Sequence, residues 1–208
     1  MKLYVSNKDE TPRMFENDFM EFFSRVHWTV PLWVYSPVVL YFIYSGFFEK
    51  SISMLGGIGL FILGLFLWTI VEYTLHQFVF HYHPTSKIGK RLIWMFHGIH
   101  HDYPSDSLRL VMPPSVSLPL AILFFYFWKF IFGIYVDLFF AGFIVGYLFY
   151  DIGHYAIHHF PMKGAYWGYI REYHMRHHFK SPERGFGVSS PLWDIVFRTG
   201  FDMKSTNK

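Results

Sequence analysis

Three histidines at His97, His100 and His101 fall at positions i, i+3 and i+4, and the same spacing returns at His174, His177 and His178. On an α-helix those positions share one face within a turn. Two looser groups accompany them: His76 with His81, and His154 with His158 and His159. Eleven of the thirteen histidines therefore sit in four clusters. Imidazole nitrogens at such spacing are metal ligands by type, and a histidine that merely fills a core does not recur in this pattern four times. The chain has no cysteine, so any metal must use histidine and carboxylate. Neutral nitrogen-rich ligation suits iron, zinc or copper.

Counting ligands sets the number of ions. Ten imidazoles (His76, His81, His97, His100, His101, His154, His158, His174, His177 and His178) overfill one ion, since zinc usually takes about four ligands and octahedral metals about six. Two ions with about five nitrogens each would leave positions open for a small exogenous ligand, which is the arrangement of a reactive site. His76 and His81, five apart, lie about 140° apart on an ideal helix. They can meet only where the helix bends, or else they serve different ions. His159 points about 100° away from His158 and is set aside. His27 beside Trp28 reads as an interfacial residue, and His83 as a surface histidine before Pro84. Glu72, four residues before His76, and Asp151, three before His154, are placed to accept the second ring N–H of a ligand and fix its orientation. Asp102 and Asp194 are weaker candidates for the same role.

These clusters need elements to hold them, and the composition says what kind. The chain is 52% hydrophobic and 23% aromatic but only 16% charged, with 26 Phe and 15 Tyr in 208 residues. That balance points to lipid as part of the solvent. A net charge of +3 without a basic, aromatic-interleaved stripe makes nucleic acid a poor partner. After a polar arm (residues 1–21) and a short amphipathic piece from Phe15 to Trp28, four apolar stretches follow at about 30–48, 54–73, 116–132 and 134–150; the first two are near the length that crosses a bilayer, and the last two are individually short, as for a hairpin with a tilted or incompletely spanning arm. Short turns at Glu49-Lys50-Ser51 and Gly133 pair them into two hairpins. The reading is an all-α integral membrane protein of one domain, residues 1–208, with four transmembrane helices and a helical cap. Sixteen of the eighteen Lys and Arg lie in the first 28 residues, in 74–115 or in 151–208, which places both termini and the cap in the cytoplasm. All four histidine clusters then converge on that face.

The four clusters in this order resemble the fatty acid hydroxylase superfamily of membrane di-metal oxygenases. The stretches between them, His101-Asp-Tyr-Pro-Ser-Asp-Ser-Leu-Arg-Leu-Val-Met-Pro-Pro114, Tyr150-Asp-Ile-Gly-His-Tyr155 and Gly185-Phe-Gly-Val-Ser-Ser-Pro-Leu-Trp-Asp194, resemble its fatty acid 2-hydroxylase branch. The resemblance covers about residues 13–200 and implies that the ten histidines named above hold two metal ions. It implies hydroxylation at carbon 2 of a long acyl chain, free or within a ceramide-type sphingolipid, with O2 as co-substrate. Zinc is associated with such folds, whereas oxygen activation calls for iron. Many fungal and animal members carry an N-terminal haem domain of the cytochrome b type, for which the arm here is too short. Electrons are therefore expected from a separate cytochrome b-type protein, ferredoxin or reductase docking on the basic face.

The acyl tail is expected among the aromatics of the spans, and the polar head near Arg109, Tyr155 or Tyr173. The membrane would be the endoplasmic reticulum in a eukaryote or the inner membrane in a bacterium. Competing chemistries within the superfamily are a sterol C-4 methyl oxidase, a desaturase or a carotenoid ring hydroxylase. The competitor outside it is a membrane zinc-binding protein without catalysis.

Overall fold

A computed structural model describes residues 3–202, so Met1 and Lys2 of the expected arm lie outside the described residues. Among the described residues there is no strand: the chain is helical throughout. In order come α1 (Asp18–Phe23), α2 (Val30–Tyr44), α3 (Met54–Thr74), α4 (Lys87–Ile93), α5 (Ile99–Asp102), α6 (Pro114–Phe132), α7 (Val136–His159), α8 (Ala165–Phe179) and α9 (Leu192–Phe197). Three helical stretches, Val30–Glu49, Met54–Phe80 and Pro114–His159, are long and apolar enough to cross a membrane. The third spans 46 residues and contains both α6 and α7. A 3-10 turn at Gly133–Tyr135 separates them, and Gly133 has a φ of 56°, where a side chain would be strained.

The chain packs as two units, with α3 and α7 each contributing to both. One unit comprises Arg13–Ile70 and Val111–Ile152. Its core is aromatic: Trp68 sits edge-on to Phe143 and Tyr147, at 5.2 and 5.4 Å between ring centres. Two helices approach closely because glycine lets their backbones meet. A Cβ on Gly142 would lie 2.0 Å from the Phe61 carbonyl oxygen, and one on Gly64 would lie 2.0 Å from that of Phe139. Small residues at helix contacts serve the same end in membrane proteins generally. Lys50 Nζ meets Asp137 Oδ1 at 2.7 Å, tying the turn after α2 to the start of α7. The outer faces of this unit are apolar, Phe130 being 91% exposed. The amphipathic piece expected at Phe15–Trp28 is helical only over Asp18–Phe23. There Glu21 is buried, accepting from the Met14 and Phe15 N–H groups, while Phe19 and Phe22 face outward.

The other unit comprises the chain up to Pro12, Val71–Leu110 and the chain from Gly153 on. Here the polar arm is stitched in place. Val5 N–H donates to the Asp102 carbonyl at 2.9 Å, Ser107 N–H to Asp9 at 3.0 Å and Thr11 Oγ1 to Asp106 at 2.7 Å. The arm thus straps the loop that leaves the first histidine pentad.

Two helices in this unit widen locally into π-turns, at Leu75–Phe80 after α3 and at Trp94–Gly98 between α4 and α5. The first resolves the problem set by the spacing of His76 and His81. His81 N–H donates to the His76 carbonyl at 3.1 Å, an i to i+5 bond that opens the turn and brings the two rings to 5.0 Å between centres. Single π-turns of this kind recur at functional sites.

Candidate metal centre

Five elements deliver ten imidazoles: the π-turn after α3 and its end (His76, His81), the π-turn before α5 (His97), α5 (His100, His101), α7 (His154, His158) and α8 (His174, His177, His178). They form two groups of five. His76, His81, His97, His101 and His177 make the first; His100, His154, His158, His174 and His178 make the second. Within each group one ring nitrogen per residue lies within 4.8 Å of all the others. Although positions i, i+3 and i+4 share one helical face, the three histidines of each tight cluster divide between the two groups. The i, i+4 pair of each cluster stays together while the remaining histidine goes to the other group: His97 with His101 but without His100, and His174 with His178 but without His177. The groups adjoin, since His101 stacks on His178 at 4.3 Å between centres.

The nitrogen spacing tests whether ions fit. In the first group His97 Nε2 lies 3.0 Å from the Nε2 atoms of both His76 and His101. In the second, His174 Nε2 lies 2.8, 3.1 and 3.0 Å from those of His154, His158 and His178. A neutral imidazole has one proton and one lone pair to share, so a single Nε2 cannot satisfy three others. Two nitrogens each about 2.1 Å from a common ion and at right angles lie ~3.0 Å apart, which is the spacing found. Burial, reinforced by neighbouring imidazoles, pushes His97, His100, His101, His174, His177 and His178 well below the usual histidine range, and His81 down to about 3. All are held neutral, the form that binds metal.

A backbone loop orients the first group. His76 Nδ1–H donates to the Phe186 carbonyl at 2.6 Å and His177 Nδ1–H to the Arg184 carbonyl at 2.7 Å. A carbonyl only accepts, so both protons sit on Nδ1 and the Nε2 lone pairs face the other nitrogens. Asp194, fully buried, clamps that loop through Phe186 N–H at 3.0 Å, Gly187 N–H at 2.7 Å and the Thr199 hydroxyl at 2.7 Å. Glu72 does the same through the N–H groups of Val188 and Ser189 and the Ser189 hydroxyl. Glu72 therefore acts one step further out than its spacing from His76 predicts: the acceptor is the Phe186 carbonyl, and the carboxylate holds the loop that supplies it. In the second group, His174 Nδ1 and His178 Nδ1 are buried without a hydrogen-bond partner among the described residues.

Other candidates have different surroundings. The two carboxylate oxygens of Asp151 take Met112 N–H and the Tyr147 hydroxyl, both at 3.1 Å. Asp102 accepts from Trp94 Nε1 at 2.8 Å. Arg109 donates to the Pro12 carbonyl and lies 4.0 Å from Asp106. Tyr155 stacks on His159 at 4.3 Å, and Tyr173 packs on Tyr169 and Phe201. His83 lies outside both groups, 3.9 Å from Glu183, and His27 bonds Thr29.

Residues 61–199, which include all ten histidines, match the model of the fatty acid hydroxylase family. The chain belongs to the fatty acid hydroxylase family. It is 40% identical to the dihydroceramide fatty acyl 2-hydroxylase FAH1 of Arabidopsis thaliana, over 91% of this chain and 80% of that protein. It is 38% identical to the ceramide very long chain fatty acid hydroxylase scs7 of Schizosaccharomyces pombe, over 88% of this chain and 53% of that one. It is 36% identical to the fatty acid 2-hydroxylase of Rattus norvegicus, over 90% and 56%. Among solved structures it resembles full-length scs7p, in which only the hydroxylase domain is visible, with a TM-score of 0.84 and 36% identity over 90% of this chain and 71% of that one.

Proposed function

We propose that this chain hydroxylates carbon 2 of a long acyl chain, as a free fatty acid or as the N-acyl chain of a ceramide-type sphingolipid. The observation that carries the reading is the convergence of two groups of five imidazoles in a member of a hydroxylase family whose relatives are named for this reaction. The ten histidines hold two ions, with iron the active metal, because right-angle nitrogen spacing suits a metal taking about six ligands and zinc has no redox chemistry. Zinc could occupy the same nitrogens in isolated protein. Bound iron would supply the activation of O2 that an unreactive C–H bond requires. In balance, one oxygen atom enters the C–H bond and the other leaves as water, with two electrons from a separate electron-donor protein and two protons from solvent.

The chain's own share is positional. The Arg184 and Phe186 carbonyls fix the tautomers of His177 and His76, and burial excludes protons and water from the imidazoles. The substrate's polar head is assigned to the surroundings of Arg109, Tyr155 and Tyr173.

We infer four membrane crossings in one domain. The 46-residue stretch Pro114–His159 would be ~69 Å long as one helix, over twice the ~30 Å hydrocarbon core, and it is broken at Gly133. Met54–Phe80 is ~40 Å long, so its last turns, with His76, emerge from the hydrocarbon. The Lys and Arg bias favours the cytoplasmic side for the histidines. Purified protein loaded with iron and given a reductant should add one oxygen atom to a long-chain dihydroceramide or fatty acid, read by mass spectrometry with carbon 2 as the position. Loss of two hydrogens instead would make it a desaturase.

A further inference from the structure

We propose that α4 is a membrane-surface helix that docks on anionic lipid headgroups. The argument begins with what α4 lacks. None of its seven residues is buried, although it starts from a proper cap, with Ser86 Oγ accepting from Gly89 N–H at 3.1 Å. A helix this short does not persist in water by propensity alone and draws its stability from what covers its apolar face. That face is outward: Ile88 is 76% exposed, and Leu92 and Phe96, which follow at steps of four, are 43% and 49% exposed. The charge on the helix itself has one sign. Lys87, Lys90 and Arg91 are exposed, and α4 carries no acidic residue. A short helix that is apolar on one face and cationic on the other has the composition of an interfacial helix attracted to anionic lipid.

Chain connectivity puts such a surface within reach. The apolar stretch Met54–Phe80 ends seven positions before Lys87, and seven steps of chain extend at most ~24 Å. Phe78 and Tyr82, at the end of that stretch, are themselves exposed. Counting about 100° per residue, Ile88 and Leu92 lie 40° apart on the wheel. Lys87 and Arg91 fall on one flank of that apolar edge, level with headgroups if the helix lies in the plane, and Lys90 points away from it. Arg91 also covers the Trp94 ring at 4.6 Å, which fixes the guanidinium near the helix surface. The same continuous helical run carries His97, His100 and His101, so docking α4 would set three of the ten imidazoles at a fixed depth relative to the lipid.

The inference rests on the membrane reading above, and the test separates the two. The chain has no native cysteine, so single substitutions give unique labelling sites. Full-length protein carrying Ile88→Cys, Lys90→Cys, Leu92→Cys or, within the second apolar stretch, Ile62→Cys is labelled with a nitroxide. Each is reconstituted in nanodiscs of phosphatidylcholine with or without phosphatidylserine. Accessibility to dissolved oxygen against a water-soluble relaxing agent is then read by electron paramagnetic resonance. The expected result is a several-fold higher oxygen-to-aqueous ratio at 88 and 92 than at 90. That contrast should grow with phosphatidylserine and lose its dependence on phosphatidylserine when Lys87→Gln and Arg91→Gln are added. Water-phase values at 88 and 92 with a lipid-phase value at 62 overturn the docking and leave the membrane reading standing, as for a helix reserved for a soluble partner. Water-phase values at all positions overturn the membrane reading itself. A lipid-phase contrast indifferent to phosphatidylserine and to the two charges overturns the headgroup recognition.

Discussion

Asp194 touches no imidazole, yet its removal should weaken one metal group and spare the other. Its carboxylate accepts from Phe186 N–H, Gly187 N–H and the Thr199 hydroxyl at 2.7–3.0 Å in full burial. Asp194→Ala leaves those three donors without their charged acceptor. At about 1.5–3 kcal/mol for each bond to a charged group, and with partial relaxation because neighbouring losses do not add, the loop loses about 3–5 kcal/mol. The Phe186 and Arg184 carbonyls are the partners of His76 and His177, both in the first group. Loss of such an orienting partner typically weakens metal binding about 10–100-fold. The assay is chelator competition with metal counted by mass spectrometry, in two backgrounds. With His174→Ala disabling the second group, Asp194→Ala should lower the affinity of the remaining ion by that factor; with His177→Ala disabling the first, it should change nothing. Asp194→Asn, which keeps one accepting oxygen, should fall between, and a melting curve checks that each variant is folded. Equal losses in both backgrounds would refute the loop's selective role and leave Asp194 as a general stabiliser.

Four further outcomes follow from the same geometry. Replacing His100 or His177 by Ala should abolish hydroxylation and drop the metal content to about one ion per chain, each variant emptying a different group; unchanged activity in product analysis would refute the ligand assignment. Chelator-stripped protein should lose stability on acidification: the unfolded chain binds protons below about pH 6.5 while His81 resists them down to about 3, so stability is full above pH 6.5 and falls through that window. Each unit of separation contributes about 1.4 kcal/mol, and bound metal should be released over the same window as protons compete for the nitrogens. Gly142→Ala should destabilise the helical unit by about 1–3 kcal/mol or more in thermal melts, since its Cβ would meet the Phe61 carbonyl oxygen at 2.0 Å. Tyr155→Phe should raise KM for substrate with little change in metal content if its hydroxyl meets the polar head, and a change in metal content without one in KM would remove that assignment.

The histidine spacing carried the metal centre a long way because ligand type and helical periodicity are local properties. All ten imidazoles singled out by type and order are the ten that converge, and His159, His83 and His27 fall outside both groups, as their placement predicts. What spacing could not supply was the partition. On a regular helix His97, His100 and His101 share a face, so nothing local says that His100 crosses to the other group; that follows from where α7 and α8 bring His154, His158, His174 and His178. The i+5 spacing of His76 and His81 was legible as a conflict with α-helical geometry, and the π-turn is its resolution: one residue is inserted into the turn at the point where both rings must face the same nitrogens. The orienting carbonyls of Arg184 and Phe186 left no mark, because every residue has a carbonyl. Their trace lies in what holds them, a buried Asp194 and glycines at 185 and 187. Gly185 has a φ of 74°, and a Cβ on Gly187 would lie 2.1 Å from the Ser190 carbonyl oxygen. The stretch Gly185–Asp194, which supported the resemblance as a string of letters, is thus the device that orients two of the ten imidazoles by their backbone partners. Carboxylates one helical turn from a ligand look like the orienting groups, but Glu72 reaches the metal centre only through the loop it pins.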